Sequence, residues 1–112
     1  MRWLITATIA TSAFLFHLAS AYAGDGSGTI SAVHFMYNGV ILFSPSAART
    51  NVPPCATIPQ RFALNGTTPV GKLQLAGLLS AHAQGKQVVV IGTGTCPDWG
   101  DTESVSYFYI AG

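Results

Sequence analysis

The amino-acid sequence predicts a mainly β domain with one helix, its elements running strand, strand, strand, helix, strand, strand. Three observations carry that prediction. Two Asn-Gly pairs, at 38–39 and 65–66, interrupt runs of β-branched and aromatic residues, and both residue types tolerate the positive φ of tight turns. A single clear helical pattern, bounded by Thr68 and Gly85, carries capping signals at both ends. The run after it, "QVVVIG" (87–92), is β-branched throughout and too short for another helix.

Taken in order, "GDGSG" (24–28) reads as a flexible lead-in, and "TISAVHFM" (29–36) as the first strand. Tyr37-Asn38-Gly39 turns the chain into the return strand, Val40 to Phe43. Ser44 to Ala56 has three prolines and no periodicity, so it reads as a loop with Cys55 near its end. "RFAL" (61–64) is a short third strand, ended by the second Asn-Gly. Thr68 then serves as N-cap, with Pro69 at the first helical position, where its missing N–H costs nothing. Leu75, Leu78, Leu79 and His82 share a helical stripe, with Gly71 a turn earlier on the same side. Gly85 suits the position after the C-cap, and Lys86 follows it. The fourth strand (87–92) and an aromatic-rich fifth, "VSYFYI" (105–110), complete the chain. Five strands with a helix between the third and fourth is the order of an OB-fold, a small, partly open Greek-key barrel. The alternative is an α+β arrangement in which the helix covers one face of an antiparallel sheet.

Residues 1–23 read as a secretory leader. Arg2 gives the positive start, Leu4 to Leu18 a largely apolar run, and Ala19-Ser20-Ala21 and Ala21-Tyr22-Ala23 the small-x-small pattern of a peptidase site. An uncleaved membrane anchor is the rival reading, since about 20 apolar residues span a bilayer. Removing 23 of the 112 residues leaves 89, a single domain spanning 24–112, expected in the periplasm or outside the cell. So short a domain buries a modest share of its surface and commonly carries a covalent staple. Cys55 and Cys96 are the chain's two cysteines, and in an oxidising compartment they allow one intramolecular disulfide. Free thiols or an intermolecular bond are the alternatives.

Charge excludes one class of partner. Beyond residue 23, Arg49, Arg61, Lys72 and Lys86 balance Asp25, Asp98, Asp101 and Glu103, a net charge of zero. Such a surface lacks the electrostatic footprint of a nucleic-acid-binding or anionic-membrane-binding protein. It lowers the barrier to self-association, so a homo-oligomer is compatible with it.

The chemistry-bearing residues gather in "GTGTCPDWGDTES" (92–104), and three sharper readings of it each lack a part. Gly92-Thr93-Gly94 follows a strand, but Pro97 and another strand come next where a phosphate loop needs a helix N-terminus. Asp98, Asp101 and Glu103 offer too few oxygens over too short a run to wrap a calcium ion. Paired carboxylates working on a sugar need a cleft between them, and an extended segment supplies none. The three acids are therefore expected to shape the turn into the last strand. His34 and His82 are isolated, without the partners of a metal site or a catalytic triad. No cofactor, metal or catalytic residue is expected. Trp99, in a loop between strands, needs either a pocket beneath it or a ligand above it. With Tyr37 at the hairpin turn, it is the candidate ligand contact. Asn65-Gly66-Thr67 also forms a glycosylation sequon, of consequence only in a eukaryotic secretory pathway.

The run "GKLQLAGLLSAHAQGKQVVVIGTGTCPDWGDTESVSYFYI" resembles a group of small exported bacterial proteins. In those a Gly-Lys-opened helix leads to a Gly-Lys turn, a strand, a Cys-bearing loop and an acidic "D-T-E" before the last strand. The matching positions are Gly71-Lys72, Gly85-Lys86, Cys96 and Asp101-Thr102-Glu103. The layout, an exported OB-fold with one disulfide, is similar to the B subunits of subtilase- and pertussis-like toxins. That similarity implies a ring-forming, glycan-binding module without catalytic activity. It places no sugar-site motif on this chain. Two other functions fit the residues: an envelope structural or inhibitory protein that binds another protein through a strand edge, and a small hydrolase using Asp101 and Glu103.

Overall fold

The computed structural model describes residues 23–112; the leader, Ala23 aside, lies outside the described residues. The elements are β1 (Asp25–Gly28), β2 (Ile30–Phe35), β3 (Val40–Pro45), β4 (Phe62–Asn65), α1 (Pro69–Ala83), β5 (Gln87–Gly92) and β6 (Glu103–Ala111). They form one sheet in the order β1-β5-β6-β4-β3-β2. Every neighbouring pair is antiparallel except β4 and β6, which run parallel where Phe62 faces Glu103 and Ala63 faces Ser104.

The two edge strands are separated in sequence by Thr29 alone. A sheet whose opposite edges are consecutive pieces of chain must curl until those edges meet. β1 and β2 are thus one broken strand, and counting them so restores the expected order of five strands around one helix. The fold is mainly β, an OB-fold-like small barrel.

The barrel interior follows the two-residue period of strands. Ile41 and Phe43 of β3, Phe62 and Leu64 of β4, and Val88 and Val90 of β5 point inward and form one cluster with Ile30. Phe43 and Phe62 face each other across the ladder, their rings stacked with centroids 6.0 Å apart. α1 packs against β4, β2 and β6, and adds Leu78 and Ala81 to the same cluster. It begins as expected: Thr68 Oγ1 accepts from the Gly71 amide at 2.9 Å, with Pro69 in the first turn. It ends with Gly85 at φ +61°, and the Lys86 amide donates to the Ala81 carbonyl at 2.9 Å. The buried stripe differs in two members, since His82 and Leu79 are both exposed. Ala81 lies in the core and Leu79 is largely exposed. Gly71, Leu75, Leu78 and Ala81 make the core-facing row at i, i+4, i+7 and i+10, and Leu79 sits about 100° around the helix from Leu78.

The lead-in "GDGSG" is a strand and not a flexible segment. Asp25 to Gly28 pair with Ile91 to Val88 of β5. Its glycines are there because neighbours press on the backbone: a Cβ on Gly26 would stand 2.7 Å from Phe62 Cε2. Gly28, at φ +117°, makes the corner between β1 and β2.

Candidate functional site

The connection between β5 and β6 is held at four points. The Cys55–Cys96 disulfide ties it to the long loop between β3 and β4, bridging 41 residues of sequence. The pairing expected from composition is the one formed. Within the connection, the Thr102 amide donates to the Trp99 carbonyl at 2.9 Å, closing a tight turn around Gly100. The Ser104 amide donates to the Thr95 carbonyl, and the Thr93 amide to the Ser104 carbonyl.

So braced, the connection lays Trp99 over the outer face of the barrel. β3 is buried on both sides: Ile41 and Phe43 line the interior, while Val40 and Leu42 face outward. Those two, with Ala63 of β4, form a second small cluster, against which Met36 and Trp99 pack. Tyr37, in the β2–β3 turn, meets Trp99 edge-on, with centroids 6.4 Å apart and planes at 69°. That is a favourable T-shaped geometry. Tyr37 is 94% exposed, so its ring stands in solvent with Trp99 as its neighbour. The turn that presents it is rigid: Asn38 Oδ1 accepts from the Val40 amide, and Gly39 takes φ +83°. The two residues singled out from sequence come from different loops and form one surface.

The three acids have three different fates. Asp98 contributes through its backbone amide, which donates to Ser104 Oγ at 3.3 Å. Asp101, partly exposed, accepts from Arg61 Nη2 at 2.8 Å and from Thr102 Oγ1 at 2.9 Å. Arg61 also donates to Thr102 Oγ1. The Arg61 hydrogen bond, then that of Thr102, hold the Asp101 carboxyl below its usual range. Its contribution to stability is therefore full above the ordinary carboxylate pKa of about 3.9 and lost as pH falls through the lower folded value. An NMR titration should find Asp101 below the ordinary value, and Arg61→Ala should move it back up.

Glu103 is fully buried. Its Oε2 accepts from the amides of Gly24 and Gly94, each at 2.8 Å, and its Oε1 pairs with the guanidinium of Arg49. Arg49 is equally buried and spreads its remaining donors over the carbonyls of Asp25, Pro59 and Asn51. Its guanidinium lies 4.0 Å from the centre of the Phe62 ring. Through the Gly94 amide, Glu103 holds the connection from inside the barrel and not from its surface.

Arg49, Arg61 and Met36 escaped the sequence reading, because nothing local marks a partner 40 or 54 residues away. One signal was available for the covered outer face. Val40-Ile41-Leu42-Phe43 is apolar without alternation, the mark of a strand buried on both sides.

Elsewhere, His82 Nδ1 donates to the Ile30 carbonyl at 3.1 Å, joining the end of α1 to the start of β2, while His34 is exposed on β2. Among the described residues no three His, Cys, Asp or Glu side chains gather as metal ligands would. An open apolar groove of about 440 Å³ runs between α1 and β6, lined by Leu73, Gly77, Tyr107 and Phe108 among others. Among the described residues no helix is long and apolar enough to cross a membrane.

Fold and surface define a small OB-type barrel with a braced aromatic pair over its β3–β4 face. No protein family, no curated protein and no solved structure matches the chain.

Proposed function

We propose that this protein is an exported, non-catalytic binding module whose ligand is an oligosaccharide. The observation that carries the reading is the Tyr37–Trp99 pair. The face of the second and third barrel strands, with the loops flanking it, is where OB barrels bind oligosaccharides and oligonucleotides. Here β3 and β4 are those strands, and the β2–β3 and β5–β6 loops supply Tyr37 and Trp99. Charge chooses between the two ligand classes. Arg49 is consumed in the interior and Arg61 by Asp101, so neither is free to meet phosphates. A sugar ring, neutral and with one apolar C–H face, suits an exposed aromatic. The commitment of Glu103 to Arg49 and two backbone amides also argues against an acid–base role for the "D-T-E" acids.

Trp99 makes the test direct. The chain has two tryptophans and the other, Trp3, lies in the leader, so fluorescence of the processed protein reports Trp99 alone. Titration with ligands retained on a glycan array should shift or quench that emission. Tyr37→Ala and Trp99→Ala should each weaken binding about two- to tenfold, in line with the ~0.5–1.5 kcal/mol of an aromatic contact. Unchanged affinity in both variants would sink the reading. Toxin B subunits bind glycans as rings, and on that likeness the binding species should be an oligomer by light scattering.

A second reading rests on β6. Its pairing with β4 stops at Ser104, so among the described residues Val105 to Ala111 keep one edge without a strand partner. Gln74 Nε2 covers part of it by donating to the Ser106 carbonyl at 3.1 Å. An envelope protein could add a strand there. Complex formation that leaves Trp99 emission unchanged would favour this reading over the first.

A further inference from the structure

Gly24 is the first buried residue of the described chain, and Ala23 before it is exposed. Its amide nitrogen lies 2.8 Å from Glu103 Oε2, and its carbonyl accepts from the Gly92 amide at 2.8 Å, so the residue is fixed on both sides. A side chain has no place here. A Cβ on Gly24 would collide with the Arg49 guanidinium, the Glu103 carboxylate and the Asn51 carbonyl. The backbone nitrogen of residue 24 is thus aimed at a fully buried carboxylate whose second oxygen is already held by Arg49. The neighbouring Asp25 turns its carboxylate away, to Thr50 Oγ1 at 2.8 Å.

The residues just before this point, Ala21-Tyr22-Ala23, have the small-x-small pattern of a leader peptidase site. We propose that the chain is cut between Ala23 and Gly24, and that the new Gly24 α-ammonium docks on Glu103 as a structural part of the fold. Hydrolysis breaks the Ala23–Gly24 C–N bond. Water gives its OH to the Ala23 carbonyl carbon, which leaves as a carboxylate, and its proton to the Gly24 nitrogen. Near neutral pH the proton shed by the new Ala23 carboxyl is matched by one taken up by the free amine, which becomes an ammonium. In the uncut chain the buried cluster holds one cation and one anion, with two neutral N–H groups, those of Gly24 and Gly94, on Oε2. After the cut, Oε2 receives a charge-assisted hydrogen bond, roughly twice as strong as a neutral one. Glu103 then binds two cations through two different oxygens. Processing and stability are coupled: the leader-bearing precursor forms a weaker fold than the chain released from it.

Intact mass and N-terminal sequencing of the exported protein should give Gly24 as the first residue; a start at Tyr22, or a retained leader, overturns the proposal. Docking is tested by comparing the chain that begins at Gly24 with one that keeps Ala23. The extra residue should lower the folding equilibrium constant at least tenfold, and less than twofold in a Glu103→Gln background. Equal losses in both backgrounds overturn the docking. Should Glu103→Gln not fold, acylation of the α-amine at neutral pH decides instead. It should run at least tenfold slower in the Gly24 chain than in the Ala23 chain, and equal rates overturn the docking.

Discussion

Arg49→Ala is expected to destabilise the protein by about 3–5 kcal/mol, measured by urea unfolding, because it strands a buried carboxylate. Glu103 would keep its two backbone donors, Gly24 and Gly94, but lose its charge partner. Three carbonyls, those of Asp25, Pro59 and Asn51, would lose a donor in the same step. The Phe62 ring would also lose the guanidinium stacked on it. Those contacts join β1, the β3–β4 loop and the start of β6, so the loss falls where the sheet's ends are gathered. Arg49→Lys should recover less than half of the stability. A lysine carries the charge but has no planar fork to reach a carboxylate and three carbonyls from above a ring. Full recovery by lysine would mean that charge alone matters and that the fan of hydrogen bonds contributes little.

The second large effect belongs to the disulfide. Replacing both Cys55 and Cys96 by serine should cost about 3–4 kcal/mol, as expected for cutting a loop of this length. Under non-reducing conditions the native chain should weigh two hydrogens less than its reduced form. The double serine variant has a further expected signature. The bridge holds the connection that carries Trp99 to the loop that carries Arg49. Its removal should shift the emission of Trp99 to longer wavelength as the ring leaves the Val40–Leu42–Ala63 cluster. A variant as stable as the native protein, with unshifted emission, would show the bridge to be incidental to the site.

What could be read from the sequence was whatever short-range chemistry determines. The Asn38-Gly39 turn, the Thr68 and Gly85 caps, and the extended runs at 40–43, 61–64 and 87–92 are each decided within a few residues. The structure places them accordingly. Two cysteines allow one internal pair, so the bridge was legible too. Apart from the stripe of α1, the failures are long-range. Gly24 to Gly28 have turn composition, and only the pressure of Phe62 and the ladder with β5 make them a strand. Glu103 sits in a polar-looking "D-T-E" run, and its burial depends on Arg49, 54 residues away. At the candidate site the residue types of Tyr37 and Trp99 pointed to binding. Their contact came only from the barrel, which brings the β2–β3 turn beside the β5–β6 connection.

The broken N-terminal strand also dictates an order of assembly. β2 can pair with β3 as soon as residue 45 has been made, through a hairpin with a short turn. β1, the piece synthesised just before it, must wait for Gln87 to Gly92. Contacts so distant in sequence are slow to form, because the intervening chain must first be organised. The earliest residues of the domain are therefore among the last to find their places. Until the C-terminal strands emerge, the barrel stays open along β1.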